Sequence, residues 1–431
     1  MRPAEGCLGL LLVIAAPVQA QDEQTWGDDA WGGDSWAQDA AGPAIHGFYE
    51  AALGGRLQDD PALAEDKTLA EVRAHLEWAA DKGAAHYSLK GDLYADAVEN
   101  GVKLDLREAM VQLTPLDWLD LQVGQQVSTW GTGDMLFLND LFPKDWKSFF
   151  AGRDETYLKA PAPSIRISLY AERFSLDLVW TPVFEPDRYI DGERFSYFSP
   201  LSGTQLAVPD GKLHADEPNA FPQDGEFAAR LSGRQQSLEW ALYGYRGFWK
   251  QPLGLDKHGE PTFPRLDVYG ASLRGPLAGG IANTEIAWYE GKDDAGDNPR
   301  TPNDQLRWLV GFDHELVPNL NGAVQYYLEW TQDYDQLKLS SPDAYRPDEL
   351  RQVVTLRLTW KLMRDNLTLS WFNYYSPTDQ DYYLRPSLSY RIDDHWTLSS
   401  GANLFGGDAP HTFFGQFEDG SNLWARLRYG F

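Results

Sequence analysis

The run His86-Tyr87-Ser88 is the densest candidate for chemistry in this chain. An imidazole two residues from a hydroxyl puts a base and a nucleophile on one face of a strand, as acyl transfer requires. A second candidate is the acidic set Asp293, Asp294, Asp297 and Asp304, whose carboxylate oxygens suit surface calcium. A third is a row of bases near the C-terminus: Arg357, Lys361, Arg385, Arg391, Arg426 and Arg428. Aligned on one wall, they would impose a positive field on a passing anionic or zwitterionic solute, or pair with Glu50, Glu71 and Glu77 across strands to hold the barrel interior together. Cys7 is the only cysteine, so thiol catalysis and thiolate metal sites are excluded from the rest of the chain. Neither a Gly-rich phosphate loop nor an HExxH pair occurs. No cofactor and no resident metal is expected.

What these residues can do depends on the elements that carry them, and the elements are strands. In the terminal run, Leu423, Ala425, Leu427, Tyr429 and Phe431 share one face, while Asn422, Trp424, Arg426, Arg428 and Gly430 share the other. A period of two, with an apolar row opposite an Arg row, suits a strand between lipid and a wet lumen. Residues 70–78 repeat it, with Val72, Leu76 and Trp78 outward and Glu71, Arg73, His75 and Glu77 inward. On the next strand Tyr87, Leu89 and Leu93 face out; His86, Ser88, Lys90 and Asp92 face in. The H-x-S pair therefore points into the lumen, where pore lining is its preferred role. A change of phase near Arg107 and Glu108 predicts a bulge.

Such segments number about 18, an even count as a single-chain barrel needs. Their connections alternate in length. One set is short: 79–84, 114–117, 173, 235–236, 275–280, 317–319, 364–366 and 393–394. The other holds 129–163, 182–226, 247–264, 291–304, 332–351 and 407–420, with shorter members at 95–101 and 376–381. Short periplasmic turns and long external loops are the habit of outer-membrane barrels. Trp180, Trp288 and Trp330 fall at outer strand ends, and Trp78, Trp360 and Trp396 at inner ones, where lipid interfaces lie. The expected fold is all-β, a transmembrane antiparallel β-barrel of about 18 strands.

Bulk numbers agree. Mean hydropathy is -0.46, and no apolar run beyond the N-terminus approaches the ~20 residues of a spanning helix. Aromatics make up 13% of the chain, enough for two interfacial girdles. The net charge of -27 argues against nucleic acid as a partner. Arg2, the apolar stretch Leu8–Ala16 and Val18-Gln19-Ala20 read as a signal peptide over 1–20. Residues 21–44 carry six acids and no base around Trp26, Trp31 and Trp36. Their period of five matches neither helix nor strand, so this tail is expected to be a disordered, solvated linker, with Trp contacts to a periplasmic partner or a plug folded back into the lumen as the alternatives. The barrel then occupies 45–431.

The last residues resemble the C-terminal signal of bacterial outer-membrane barrels, which implies recognition of Tyr429 and Phe431 by the barrel-assembly machinery. The H-x-S spacing resembles outer-membrane phospholipases and lipid A deacylases, but in those the pair faces the membrane. The run Gly124-Gln-Gln-Val-Ser-Thr-Trp130-Gly131, followed by Asn139, Pro143 and Asp145, resembles an uncharacterised proteobacterial family of porin-like outer-membrane barrels. That resemblance covers roughly residues 100–185. It implies a barrel of the porin kind, set in outer-membrane lipid and lipopolysaccharide. Loop 129–163 carries Leu136, Phe137, Leu138, Leu141, Phe142, Trp146, Phe149 and Phe150, too much apolar surface to leave exposed. It should fold into the lumen as a constriction, presenting Trp130, Asp134, Lys144, Asp145, Trp146, Arg153 and Asp154 opposite the basic row, or else pack on neighbouring loops for stability alone. The expected function is an outer-membrane channel for a small or amphipathic solute. An export component docking a partner through the Trp tail is the alternative, and a lipid-active surface enzyme comes last.

Overall fold

Apolar and polar side chains that alternate along the chain can be sorted only by extended backbone. In the computed structural model, which describes residues 44–209, 211–293, 295–341 and 345–431, eighteen strands form one sheet. They are β1 (Ala44–Arg56), β2 (Lys67–Lys82), β3 (Ala85–Asp96), β4 (Gly101–Leu116), β5 (Leu119–Gln126) and β6 (Ala162–Tyr170). Next come β7 (Phe174–Thr181), β8 (Glu226–Gln235), β9 (Leu238–Phe248), β10 (Arg265–Leu277), β11 (Gly280–Glu290) and β12 (Gln305–Val317). The last are β13 (Leu320–Thr331), β14 (Leu350–Leu362), β15 (Leu367–Ser376), β16 (Asp381–Arg391), β17 (Trp396–Gly407) and β18 (Asn422–Gly430). Each pairs antiparallel with its sequence neighbours, and β1 also pairs with β18, placing Tyr49 opposite both Ala74 and Tyr429. The sheet is closed, so it has no free edge.

The outside is apolar and the inside is charged, the reverse of a soluble protein. Val102 and Leu104 on the outer face are 74% and 78% exposed, while inward-facing Arg73 and Asp92 are 2% and 0% exposed. An apolar outer wall of this kind is what lipid contact requires. Trp330, Trp360 and Trp396 are exposed near strand ends, as the girdle reading expects. No helix among the described residues is long and apolar enough to span a membrane. The expected bulge is present. Lys90 lies opposite Glu108 and Gly91 opposite Leu106, leaving Arg107 as the extra residue.

Connections sort by end as the lengths suggest. The turns 83–84, 117–118, 171–173, 236–237, 278–279, 318–319, 363–366 and 392–395 are short. Five of them carry residues at positive φ: Gly83 (65°), Gln236 (58°), Ala278 with Gly279 (49° and 84°), Asn319 (67°), and Met363, Arg364 and Asp365 (55°, 58° and 66°). At the opposite end most loops are long, including 127–161, 182–225 and 408–421. The third loop at this end in chain order runs over 127–161 and not 129–163, because β5 stops at Gln126 and β6 already starts at Ala162. Trp26, Trp31 and Trp36 lie outside the described residues.

The core lies inside the barrel. Loop 127–161 carries a short helix, α1 (Trp146–Ala151), capped by Asp145, which accepts from Ser148 N at 2.7 Å. Phe149 and Phe150 of α1 pack with Tyr383 and Phe405 of the wall and with Phe195 and Phe417 of two other external loops. The apolar load that marked this loop in the sequence is what draws it inward.

Candidate constriction site

Six residue steps lead from Gln126, the end of β5, to Thr132, a reach of at most ~20 Å. Thr132 nevertheless meets β11, six strands away along the wall, so the chain cuts straight across the lumen. Three inward-facing side chains of β11 receive it. Asn283 Nδ2 donates to Thr132 O at 2.5 Å, and Tyr289 OH donates to Leu138 O at 2.6 Å. Glu285 accepts from Thr132 N, from Gly133 N at 2.7 Å and from Asn139 Nδ2 at 2.7 Å. Farther round, Gln325 of β13 accepts from Asp134 N at 3.1 Å, and Tyr374 of β15 donates to Met135 O at 2.8 Å.

The middle of the loop is fixed by α1. Asn403 and Asn422 donate to Phe150 O at 2.9 and 3.1 Å. Gly152 closes the helix at φ 87°, and a Cβ there would meet Trp424 Cδ1 at 2.2 Å. Glycine is therefore required twice over, by backbone and by contact. Trp146 sits on α1 with Nε1 donating to Asp187 at 2.9 Å, and Lys144 N donates to the same carboxylate at 2.8 Å. Lys144 Nζ lies 3.0 Å from Asp140. Burial pulls the Lys144 ammonium below its usual range and pushes the Asp187 carboxyl above its own.

The loop's charges then meet the wall. Arg153 binds Glu71 at 2.7 Å and Asp96 at 3.3 Å. Asp154 lies 3.2 Å from both Arg426 and Arg428, which also share Glu50. Asp134 takes Arg357 at 2.6 Å, and Glu155 takes Arg357 at 2.9 Å and Arg385 at 3.7 Å. Burial alone would raise the Asp154 carboxyl, but Arg428 and Arg426 outweigh it and hold the group well below the usual carboxylate range. Tyr157 OH donates to Asp92 at 2.7 Å, and Arg107, the bulge residue, donates to Thr156 O and Lys159 O at 3.0 and 2.8 Å. The loop is thus held from β11 round through β18 to β4.

The sequence candidates are brought together unevenly. Asp134, Arg357 and Arg385 join through Glu155, Asp154 joins Arg426 and Arg428, and Arg153 pairs separately with Glu71 and Asp96, so the loop meets the wall in three groups of ion pairs. Trp130 is buried against Phe142, with ring centroids 5.0 Å apart. Asp145 works within the loop's own frame, capping α1 and meeting Arg188 at 3.2 Å. Lys361 is half-buried near the inner end of β14, and Arg391 is exposed at the inner end of β16. Neither makes an ion pair to the loop among the described residues. Row membership placed them on the right wall but said nothing of height.

Glu285, Glu155, Arg188 and Arg194 were not singled out by sequence. Arg188 and Arg194 carried one usable signal, as two of only three bases in the acidic stretch 182–226. Both are used: Arg188 grips Asp105 at 2.7 and 2.8 Å, and buried Arg194 binds Asp96 and Glu99. His86 and Ser88 are engaged separately, His86 with Asp81 at 2.7 Å and Ser88 with Glu108. Asp293 and Asp304 accept loop backbone N–H groups at 2.8 and 2.7 Å. No cluster able to hold a metal occurs among the described residues.

No protein-family model and no curated protein matches this sequence. Solved structures do. A BenF-like porin from Pseudomonas fluorescens matches with a TM-score of 0.55 at 11% identity, over 91% of this chain and 98% of that one. Acinetobacter baumannii OccAB3 gives 0.55 at 10%, over 91% and 100%. Pseudomonas aeruginosa OccK2 (OpdF), in complex with glucuronate, gives 0.53 at 10%, over 90% and 97%. Over nine-tenths of its length, this chain has the fold of the Pseudomonas and Acinetobacter outer-membrane porins.

Proposed function

We propose that this chain is an outer-membrane channel of a Gram-negative bacterium, passing a small solute through a lumen narrowed by loop 127–161. The observation that carries the reading is the crossing itself: an apolar-walled barrel whose third external loop spans the lumen and is pinned on both sides. Four wall arginines, Arg357, Arg385, Arg426 and Arg428, face carboxylates of that loop. The arginine row set against these carboxylates gives the lumen a transverse field, which suits anionic or zwitterionic solutes, including amphipathic ones, in keeping with the fold shared with porins. The glucuronate in OccK2 is consistent with that class. The barrel sits in outer-membrane lipid and lipopolysaccharide. Tyr429 and Phe431 address the assembly machinery, and the Trp26–Trp36 tail meets a periplasmic partner.

Single-channel conductance of the refolded protein in a planar bilayer, with and without residues 134–160, tests the channel. A steady conductance that rises on deletion supports a pore constricted by the loop. Silence in both proteins refutes it.

A further inference from the structure

Glu285 is a wall carboxylate that is 1% exposed, yet it has no ion pair among the described residues. Burying an anion without a cation is costly unless strong donors replace its water. Here all four of its hydrogen-bond donors come from loop 127–161: Thr132 N, Thr132 Oγ1, Gly133 N and Asn139 Nδ2. Backbone and side-chain N–H groups converging on a carboxylate form charge-assisted bonds, stronger than neutral ones.

The loop is shaped for this. Gly131 adopts φ 92°, and a Cβ there would stand 3.1 Å from Glu285 Oε1. A Cβ on Gly133 would meet Leu136 O at 2.2 Å, so the turn that aims its N–H also needs glycine. Opposite, a Cβ on Gly270 would meet Asn139 Oδ1 at 1.7 Å. Glycines thus let Asn139 and the turn close around the carboxylate from both sides. The spacing Trp130-Gly131-Thr132-Gly133 and Asn139 describes a carboxylate cradle carried by the loop, and the barrel supplies its occupant.

We propose that Glu285 is the latch that holds the first limb of the loop, Thr132 to Asn139, in its closed position across the lumen. The cradle is a carboxylate receptor, and with Glu285 shortened it accepts a small free carboxylate in its place. This deepens the channel reading and rests on it only where aperture is concerned.

Two readouts keep the two ideas apart. In the first, parent and Glu285→Ala proteins are folded in detergent and cut with chymotrypsin, scoring cleavage at Leu136, Phe137 and Leu138. Loss of charged hydrogen bonds to the limb should raise cleavage about tenfold or more. Sodium acetate should return the variant toward the parent, and sodium chloride at equal ionic strength should not. Parent-level protection in the variant, or equal action of the two salts, overturns the latch. Should Glu285→Ala not assemble, Asn139→Ala removes one donor only. It should raise cleavage severalfold with no acetate response, and unchanged protection overturns the latch there too. In the second readout, Glu285→Ala in a bilayer should show longer or larger openings that acetate shortens. Silence of both proteins with acetate-sensitive cleavage sinks the channel and leaves the latch standing.

Discussion

Replacing Arg357 with alanine strands two loop carboxylates at once. Its Nε and Nη2 donate to Asp134 at 2.6 and 2.9 Å, and Nη2 also donates to Glu155 at 2.9 Å. The side chains are 11%, 16% and 11% exposed, in the order Arg357, Asp134, Glu155. Removing one partner of a fully buried pair costs ~3–5 kcal/mol. Residual exposure reduces that figure, and Glu155 keeps Arg385 at 3.7 Å. The closed loop should therefore lose ~2–4 kcal/mol, roughly 30- to 700-fold in its closed-to-open ratio. Single-channel recording reads this as longer or larger openings. Adding Asp134→Asn and Glu155→Gln to Arg357→Ala removes the stranded charges and should recover part of the loss. Arg357→Lys keeps the charge but not the fork, so it should fall between parent and alanine. Arg391→Ala is the control, since its side chain makes no ion pair to the loop. Equal effects at 357 and 391, or no effect at 357, would refute the ion-pair account of closure.

Gly152→Ala forces a side chain onto positive φ and into Trp424, and should cost ~2 kcal/mol or more by urea unfolding. The Asp154 carboxyl is held below its ordinary 3.8, so its contribution is complete above that value and fades only as pH falls through the lower folded value. The Asp154 share of closure, read as the conductance difference between the parent and Asp154→Asn, should accordingly hold from pH 7 to about 4 and shrink in stronger acid. Ser88→Ala removes the bond to Glu108 and should leave phospholipid or acyl-ester hydrolysis at background, as in the parent. Hydrolysis in the parent that Ser88→Ala abolishes would revive the enzyme reading.

The wall was legible in the sequence because its code is local. Parity along one strand decides which side chain meets lipid, so Val72 and Arg73 are sorted by their immediate neighbours. The bulge at Arg107 showed for the same reason, as a slip in phase. Strand ends were less exact, because an end is set by pairing with the next strand and by the loop that follows. Loop 127–161 was legible as something that must bury itself, since no exposed loop carries Phe149, Phe150 and their companions. Where it would dock was not. Arg357 and Asp134 are 223 positions apart and Glu285 lies 153 from Thr132, and nothing local to either member announces the other.

Height was hidden as well. Arg385 and Arg391 share a strand and a face, yet six residues of strand separate them by ~20 Å, enough to put one beside Glu155 and the other at the rim. Parity says which wall a base belongs to, and only the loop's path says which bases it reaches. The run from Trp130 to Asn139 carried a signal that strand parity does not read. Its glycines have no reason to recur in a strand or a helix, and such spacing reads as backbone prepared to approach something closely. The structure supplies that something as a single carboxylate on β11. A glycine-spaced turn opening an apolar lumen loop is thus a sequence sign that a partner waits on the opposite wall. The search for it narrows to inward-facing acids on strands the turn can reach.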